Sequence, residues 1–192
     1  MQQKPRERLV ETALRLFFRD GFHATGVDRI LAEAGVAKMT LYRHFRSKDD
    51  LILAAMERYR NEIAGWLDSI FDLAGASSEE RILALFDRLH DWYTGRALPG
   101  LPFRGCLLVN ASIEFAHPSH PVHKAAAAHV ASLEGVIDTA VRAAGLSEDL
   151  TERLGLVVIG SLVSAQMYRD PQVFDRGKDA ARRMLHGTSV PV

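Results

Sequence analysis

Along nearly the whole chain, apolar residues recur at three- and four-residue intervals, and no stretch alternates convincingly between apolar and polar. That period belongs to helices with one apolar face, so the chain reads as all-α. Val10, Ala13, Leu14 and Phe17 keep the spacing, and "DGF" at 20–22 ends this first helix at Gly21. Thr25, with Asp28 three residues on, has the form of a capping box. It opens a second helix whose stripe is Val27, Ile30, Leu31 and Ala34. Gly35 stops that helix. A third short helix then starts near Val36 or Ala37, with Leu41 and Phe45 one turn apart as its inward face.

Two short helices joined by a glycine-containing turn, and braced by a longer one before them, form a helix-turn-helix whose second helix can enter a major groove. Charge falls on the same element. The chain as a whole balances 24 basic side chains against 24 acidic ones, but residues 1–50 hold ten of the bases and only seven of the acids. The stretch "KMTLYRHFRSK" at 38–48 carries Lys38, Arg43, Arg46 and Lys48 around His44, with no acid among them. With Leu41 and Phe45 turned inward, Lys38, Met39, Thr40, Tyr42, Arg43 and His44 stay outside. A basic side chain there neutralises phosphate or forks onto guanine, Thr40 suits a phosphate or a thymine methyl, and the Tyr42 hydroxyl suits phosphate. Charge alone describes a solvated helix face equally well. Its coincidence with helix-turn-helix spacing selects DNA.

The stretch "TGVDRILAEAGVAKMTLYRHFRSKDDL" at 25–51 resembles the DNA-binding signature of the tetracycline-repressor (TetR) family of bacterial transcriptional regulators, in the Ala-Gly-Val turn at 34–36, in "TLYRHF" at 40–45 and in "SKDDL" at 47–51. The resemblance implies a nine-helix homodimer in which residues 1–48 bind a palindromic double-stranded DNA operator. Residues 49–192 then bind a small-molecule effector, which releases the DNA, and the partner subunit. It casts Lys38 and Thr40 as base or phosphate readers, Tyr42 and His44 as phosphate anchors, and Lys48 as the phosphate contact that opens helix four. The candidate DNA-contacting set is Thr25, Lys38, Met39, Thr40, Tyr42, Arg43, His44 and Lys48. Two positions depart from the family's habit: Ala37 stands where a capping Ser is common, and Met39 where a small residue is usual.

Ser47 with Asp50 repeats the capping-box pattern and opens a long fourth helix striped by Leu51, Ala55, Tyr59, Ile63, Trp66 and Ile70, a rod able to carry movement between the two functions. Ser77 with Glu80 opens a fifth, with Ile82, Leu85, Phe86, Leu89, Trp92 and Tyr93 on its apolar side. After the loop at 94–105 comes an apolar sixth helix, on which Asn110 and Glu114 share a face. A carboxylate there needs either a basic partner or a wet cavity. With the family's pocket among the middle helices, Phe86, Trp92, Tyr93, Phe103, Cys106, Asn110, Glu114 and His129 are the candidate effector contacts. The same aromatics at helical spacing also describe plain core. Cys106 follows Gly105 near a helix start and two residues from Arg104, a setting that can activate a thiol, although free cysteine is more often inert core.

His117, His120 and His123 invite a metal reading. Pro121 marks that segment as the entry to helix seven, and no Cys or carboxylate completes a zinc-like spacing, so no metal is expected. Helices eight and nine carry Leu154, Val158, Ser161, Leu162 and Ala165, then Phe174, Ala181 and Leu185. These form the candidate dimer face, against the alternative that they only close the monomer's core. No nucleophile–base pair or phosphate-binding glycine loop appears, so neither an enzyme nor a cofactor is expected. The single cysteine excludes an intrachain disulfide, the N-terminus lacks a signal-like apolar run, and the most apolar stretch, 154–167, falls short of a span. A cytoplasmic protein with no membrane contact is expected. The competing readings are a helical ligand-binding or signalling module without DNA activity, and an electrophile or redox sensor acting through Cys106.

Overall fold

A computed structural model describes residues 4–71, 73–98 and 101–187, except for the side chain at 71. Among the described residues it contains nine α-helices and no strand: α1 (Pro5–Asp20), α2 (Val27–Ala34), α3 (Lys38–His44), α4 (Lys48–Phe71), α5 (Ser78–Tyr93), α6 (Leu107–Glu114), α7 (Pro121–Ala143), α8 (Asp149–Tyr168) and α9 (Gln172–Leu185). The tail "GTSVPV" at 187–192, whose composition reads as coil, lies outside the described residues from 188 on. Two compact units form, one from Met1–Ile63 with Leu107–His129, the other from Ala64–Cys106 with Val130–Val192. Helices α4 and α7 each contribute to both units.

The first unit is built on α1, which starts with Pro5 in the first turn, where a missing N–H costs nothing, and ends at Gly21 with φ +90°. It buries Leu9, Ala13, Leu16 and Phe17 almost completely. Phe22 folds back on Phe17, 5.1 Å between ring centroids, and meets Phe115 beyond α6 edge-on at 5.8 Å. Leu51, Ile52, Ala55 and Tyr59 of α4 complete this core. Arg29 of α2 reaches Asp20 at 3.1 Å and Glu33 at 3.3 Å, bracing α2 against the end of α1. These side chains are partly exposed, so solvent screens the pairs and each adds little to stability. Helix α2 ends where Gly35 takes the left-handed conformation, the tight turn that a β-carbon would disfavour.

In the second unit, α9 packs against both α5 and α8. Gly177 allows this approach: a β-carbon there would overlap the Ser161 hydroxyl and press on the Phe86 ring. Helix α5 carries the expected capping box. The Ser77 hydroxyl accepts the Glu80 N–H at 3.2 Å, and the Glu80 carboxylate accepts the Ser77 N–H at 2.7 Å, so two N–H groups of the first turn are satisfied reciprocally. At its other end, the buried Trp92 indole N–H donates to the Leu101 carbonyl at 2.7 Å and ties down the loop toward α6.

Candidate functional site

Helix α3 presents the surface expected from its sequence. Leu41 is buried, as is Phe45 just past the helix end, while Met39 is 75 % and Tyr42 51 % exposed; Lys38, Arg43 and His44 are exposed and Thr40 is half-buried. An apolar side chain as exposed as Met39 has no packing role in the isolated chain. The N-cap is Ala37, with no side-chain cap, as its departure from Ser implies. The Lys38 ammonium lies 3.6 Å from Asp28, and both groups are largely in solvent, so this acid does not cancel the basic face. At the far end, Ser47 accepts the Asp50 N–H at 3.1 Å, and the Asp50 carboxylate reaches the Arg46 N–H at 2.9 Å, starting α4 directly behind the basic stretch.

Thr25 is a correction. It is neither the cap of α2, a place taken by Gly26, nor available to DNA through its side chain: it is fully buried, and its hydroxyl donates to the Gly21 carbonyl at 2.7 Å. Its hydroxyl serves the turn between α1 and α2 instead. Glu114 serves the same turn. Its carboxylate accepts the N–H of Phe22 at 3.0 Å and of His23 at 2.9 Å, and lies 3.1 Å from His23 Nδ1. Burial alone would raise the Glu114 pKa, but these hydrogen bonds outweigh it and hold the carboxyl below its usual range. Glu114 therefore clamps a turn in the first unit rather than furnishing an effector cavity. Lys48 adds a strut, its ammonium donating to the Phe22 carbonyl at 2.6 Å. Burial lowers its pKa despite the opposing pull of Asp49 and Glu114. One of its donors is thus committed inward.

The remaining candidate effector contacts separate. Phe86 and Trp92 are core, 1 % and 2 % exposed. Cys106 and Asn110 are half-buried around the start of α6. In the first unit, His129 lines a cavity of about 130 Å³ with Leu53, Met56, Glu57, Arg60 and Leu108. The His129 Nδ1 is buried without a partner, and burial, reinforced by Arg60, holds the imidazole pKa down. In the second unit, Tyr93 and Phe103 line a larger cleft of about 530 Å³ with Arg104, Ala165, Gln166 and Arg169.

The candidate dimer residues of α8 and α9 point the other way from expectation. Leu154, Val158, Ser161, Leu162 and Ala165, with Phe174, Ala181 and Leu185, are all buried within the chain itself. They hold α8 on α9. The exposed apolar side chains of α8 are Leu156 at 67 %, Met167 at 69 % and Tyr168 at 70 %.

The three clustered histidines act separately. His117 Nδ1 accepts from the Ser119 hydroxyl at 2.8 Å, His120 stacks on Phe115 and approaches Asp49, and His123 Nδ1 donates to the Phe115 carbonyl at 3.0 Å. Among the described residues, no group of three His, Cys, Asp or Glu side chains could hold a metal, and no helix is long and apolar enough to cross a membrane.

Comparison with known proteins agrees with the geometry of α1–α3. Residues 9–55 match the family model of bacterial regulatory proteins of the tetR family, and residues 78–181 match that of the tetracyclin repressor-like C-terminal domain. The fold is similar to SCO4454, a TetR-family transcriptional regulator from Streptomyces coelicolor, with a TM-score of 0.84 and 31 % identity over 96 % of each chain. The uncharacterised regulator YerO of Bacillus subtilis is 40 % identical over 76 residues, 39 % of this chain and 26 % of that protein. The transcriptional regulator AcuR of Cereibacter sphaeroides is 36 % identical over 108 residues, 56 % of this chain and 48 % of that protein. The chain thus spans half or less of the length of these two curated relatives. With one family model covering the helix-turn-helix and another more than half of the chain, this protein belongs to the TetR family of transcriptional regulators.

Proposed function

We propose that residues 1–48 bind an operator in double-stranded DNA and that residues 49–192 receive a small-molecule effector and a second subunit, so that effector binding releases the operator. The observation that carries this reading is the outward face of α3, where Lys38, Met39, Tyr42, Arg43 and His44 are exposed together, with Thr40 half-buried beside them. Such a face offers cations and hydroxyls to phosphates and base edges, while Leu41 and Phe45 anchor the helix from behind. Selection of bound duplexes from random sequence tests it. The reading expects enrichment of an inverted repeat, and recovery of no preferred duplex at low salt opposes it.

The subunit contact is assigned to the outward face of α8. Leu156, Gly160 and Met167 fall along one exposed stripe, with the half-buried Val163 between them, a concentration of apolar surface unusual for an isolated chain. A two-fold axis would set this stripe against its own copy and, with α9 beside it, make a four-helix interface. A dimer with both heads on one face of the duplex accounts for an inverted repeat.

A further inference from the structure

The cavity that His129 lines follows from the sequences of two helices. On α4, Leu53, Met56, Glu57 and Arg60 keep the i, i+3, i+4, i+7 spacing and so share one face. Helix α7 contributes Ala125, Ala128 and His129, again a single stripe. The short alanine side chains cannot fill the room that the longer ones of α4 leave, and a space of about 130 Å³ remains, lined entirely by residues of the first unit.

The walls divide by depth. Met56 and Leu108 are buried, 3 % and 1 % exposed, with His129 at 7 % beside them, whereas Glu57 and Arg60 are exposed. These last two therefore form the mouth, where they pair with each other at 2.5 Å. Neither charge calls for a ligand of opposite sign.

The floor has an unmet demand. His129 Nδ1 is buried with no hydrogen-bond partner, a costly state for a polar atom. Burial, reinforced by Arg60, holds the imidazole pKa down and keeps the ring neutral. A neutral imidazole nitrogen accepts in one tautomer and donates in the other, and a hydroxyl answers both. A lone water suits the floor poorly, because it needs roughly two to four polar partners. The Met56 and Leu108 side chains offer it little beside the imidazole.

We propose that this cavity binds a small uncharged phenol, its ring against Met56 and Leu108 and its hydroxyl on His129 Nδ1. Apolar protein cavities of roughly 150 Å³ hold a benzene ring, and about 130 Å³ is close to that size. The Met56 thioether adds a favourable contact for an aromatic ring. The inference deepens the regulator reading and rests on it only in making this ligand the effector. So placed, the ligand lies against α4, the helix that starts at Lys48 behind the basic stretch of α3.

Isothermal titration of the full chain at neutral pH, without DNA, compares phenol with toluene, which keeps the ring and lacks the hydroxyl. Phenol should bind about tenfold or more tighter. His129→Leu removes the unpaired nitrogen and leaves an apolar floor, so its melting temperature should not fall. In that variant phenol should lose about tenfold in affinity while toluene does not weaken. Ala128→Phe, at an exposed position on the rim, should abolish binding of both. No phenol binding at millimolar concentration, toluene binding as tightly as phenol, an undiminished preference for phenol in His129→Leu, or full affinity in Ala128→Phe overturns the proposal. Failure of the regulator reading would show separately, as no binding of the unliganded chain to duplex DNA.

Discussion

Replacing Glu114 by Ala removes the acceptor for two backbone N–H groups at once, one of them on Phe22, whose side chain is fully buried. Water can reach His23, which is exposed, and can take over that bond. Phe22 has less recourse, and a buried donor left unpaired costs about 1–3 kcal/mol, with a charge-assisted bond at the upper end. The turn should therefore lose about 2–3 kcal/mol of local stability. Glu114→Gln, which keeps one acceptor oxygen and loses the charge, should lose about 1 kcal/mol. Amide hydrogen exchange at residues 21–26 reads this directly, and about 2–3 kcal/mol corresponds to a thirtyfold or greater loss of protection at Phe22 in the alanine variant. The pH dependence follows from the lowered carboxyl pKa. The clamp's contribution is fully present above about pH 4.5, the carboxyl's ordinary value, and is lost as pH falls through the lower value it has when folded. The gap between wild type and Glu114→Gln should close in that acid range. Unchanged protection of the Phe22 amide in Glu114→Ala would refute the clamp.

Other perturbations separate buried faces from presented ones. Leu162→Arg places a charge at a buried position of α8 and should cost more than about 3 kcal/mol, seen as loss of the cooperative urea transition. Met167→Arg should leave that transition in place and yield monomers, whereas a dimer of unchanged mass in light scattering would put the interface elsewhere. Trp92→Phe keeps the ring packing but strands the Leu101 carbonyl, and should lower stability by about 1–2 kcal/mol in urea; no change would mean that water replaces the indole.

Local features were legible in the sequence wherever their causes were local. The capping box of α5, the proline that opens α7, the glycine that closes α2 and the two anchors of α3 each follow from residues within one or two turns. The basic face of α3 was legible because its charge and its spacing coincide. Thr25 was not, since its burial depends on how the chain returns beneath the end of α1. Glu114 was not either, because its partners lie 91 and 92 residues away and no spacing along the chain points to them. On α8 the difficulty was different. Both faces are apolar or small, Leu154, Val158 and Leu162 on one and Leu156, Gly160 and Met167 on the other, so helical periodicity could not tell which packs against α9. The cleft carrying Tyr93, Phe103 and Arg169 likewise joins segments far apart in sequence.

The central claim is that the exposed face of α3 engages DNA. Fluorescence anisotropy of the full chain with a selected duplex, titrated across salt concentrations, tests it most directly. For the wild type the logarithm of affinity should fall linearly with that of salt, by about 0.9 for each phosphate neutralised. Arg43→Ala should weaken binding about tenfold or more and, if Arg43 contacts phosphate, flatten the slope by about one such step. Combining it with Lys38→Ala and Tyr42→Phe should reduce binding to the level of random duplexes. A triple variant that keeps wild-type affinity and slope, with its fold intact by circular dichroism, would contradict the account.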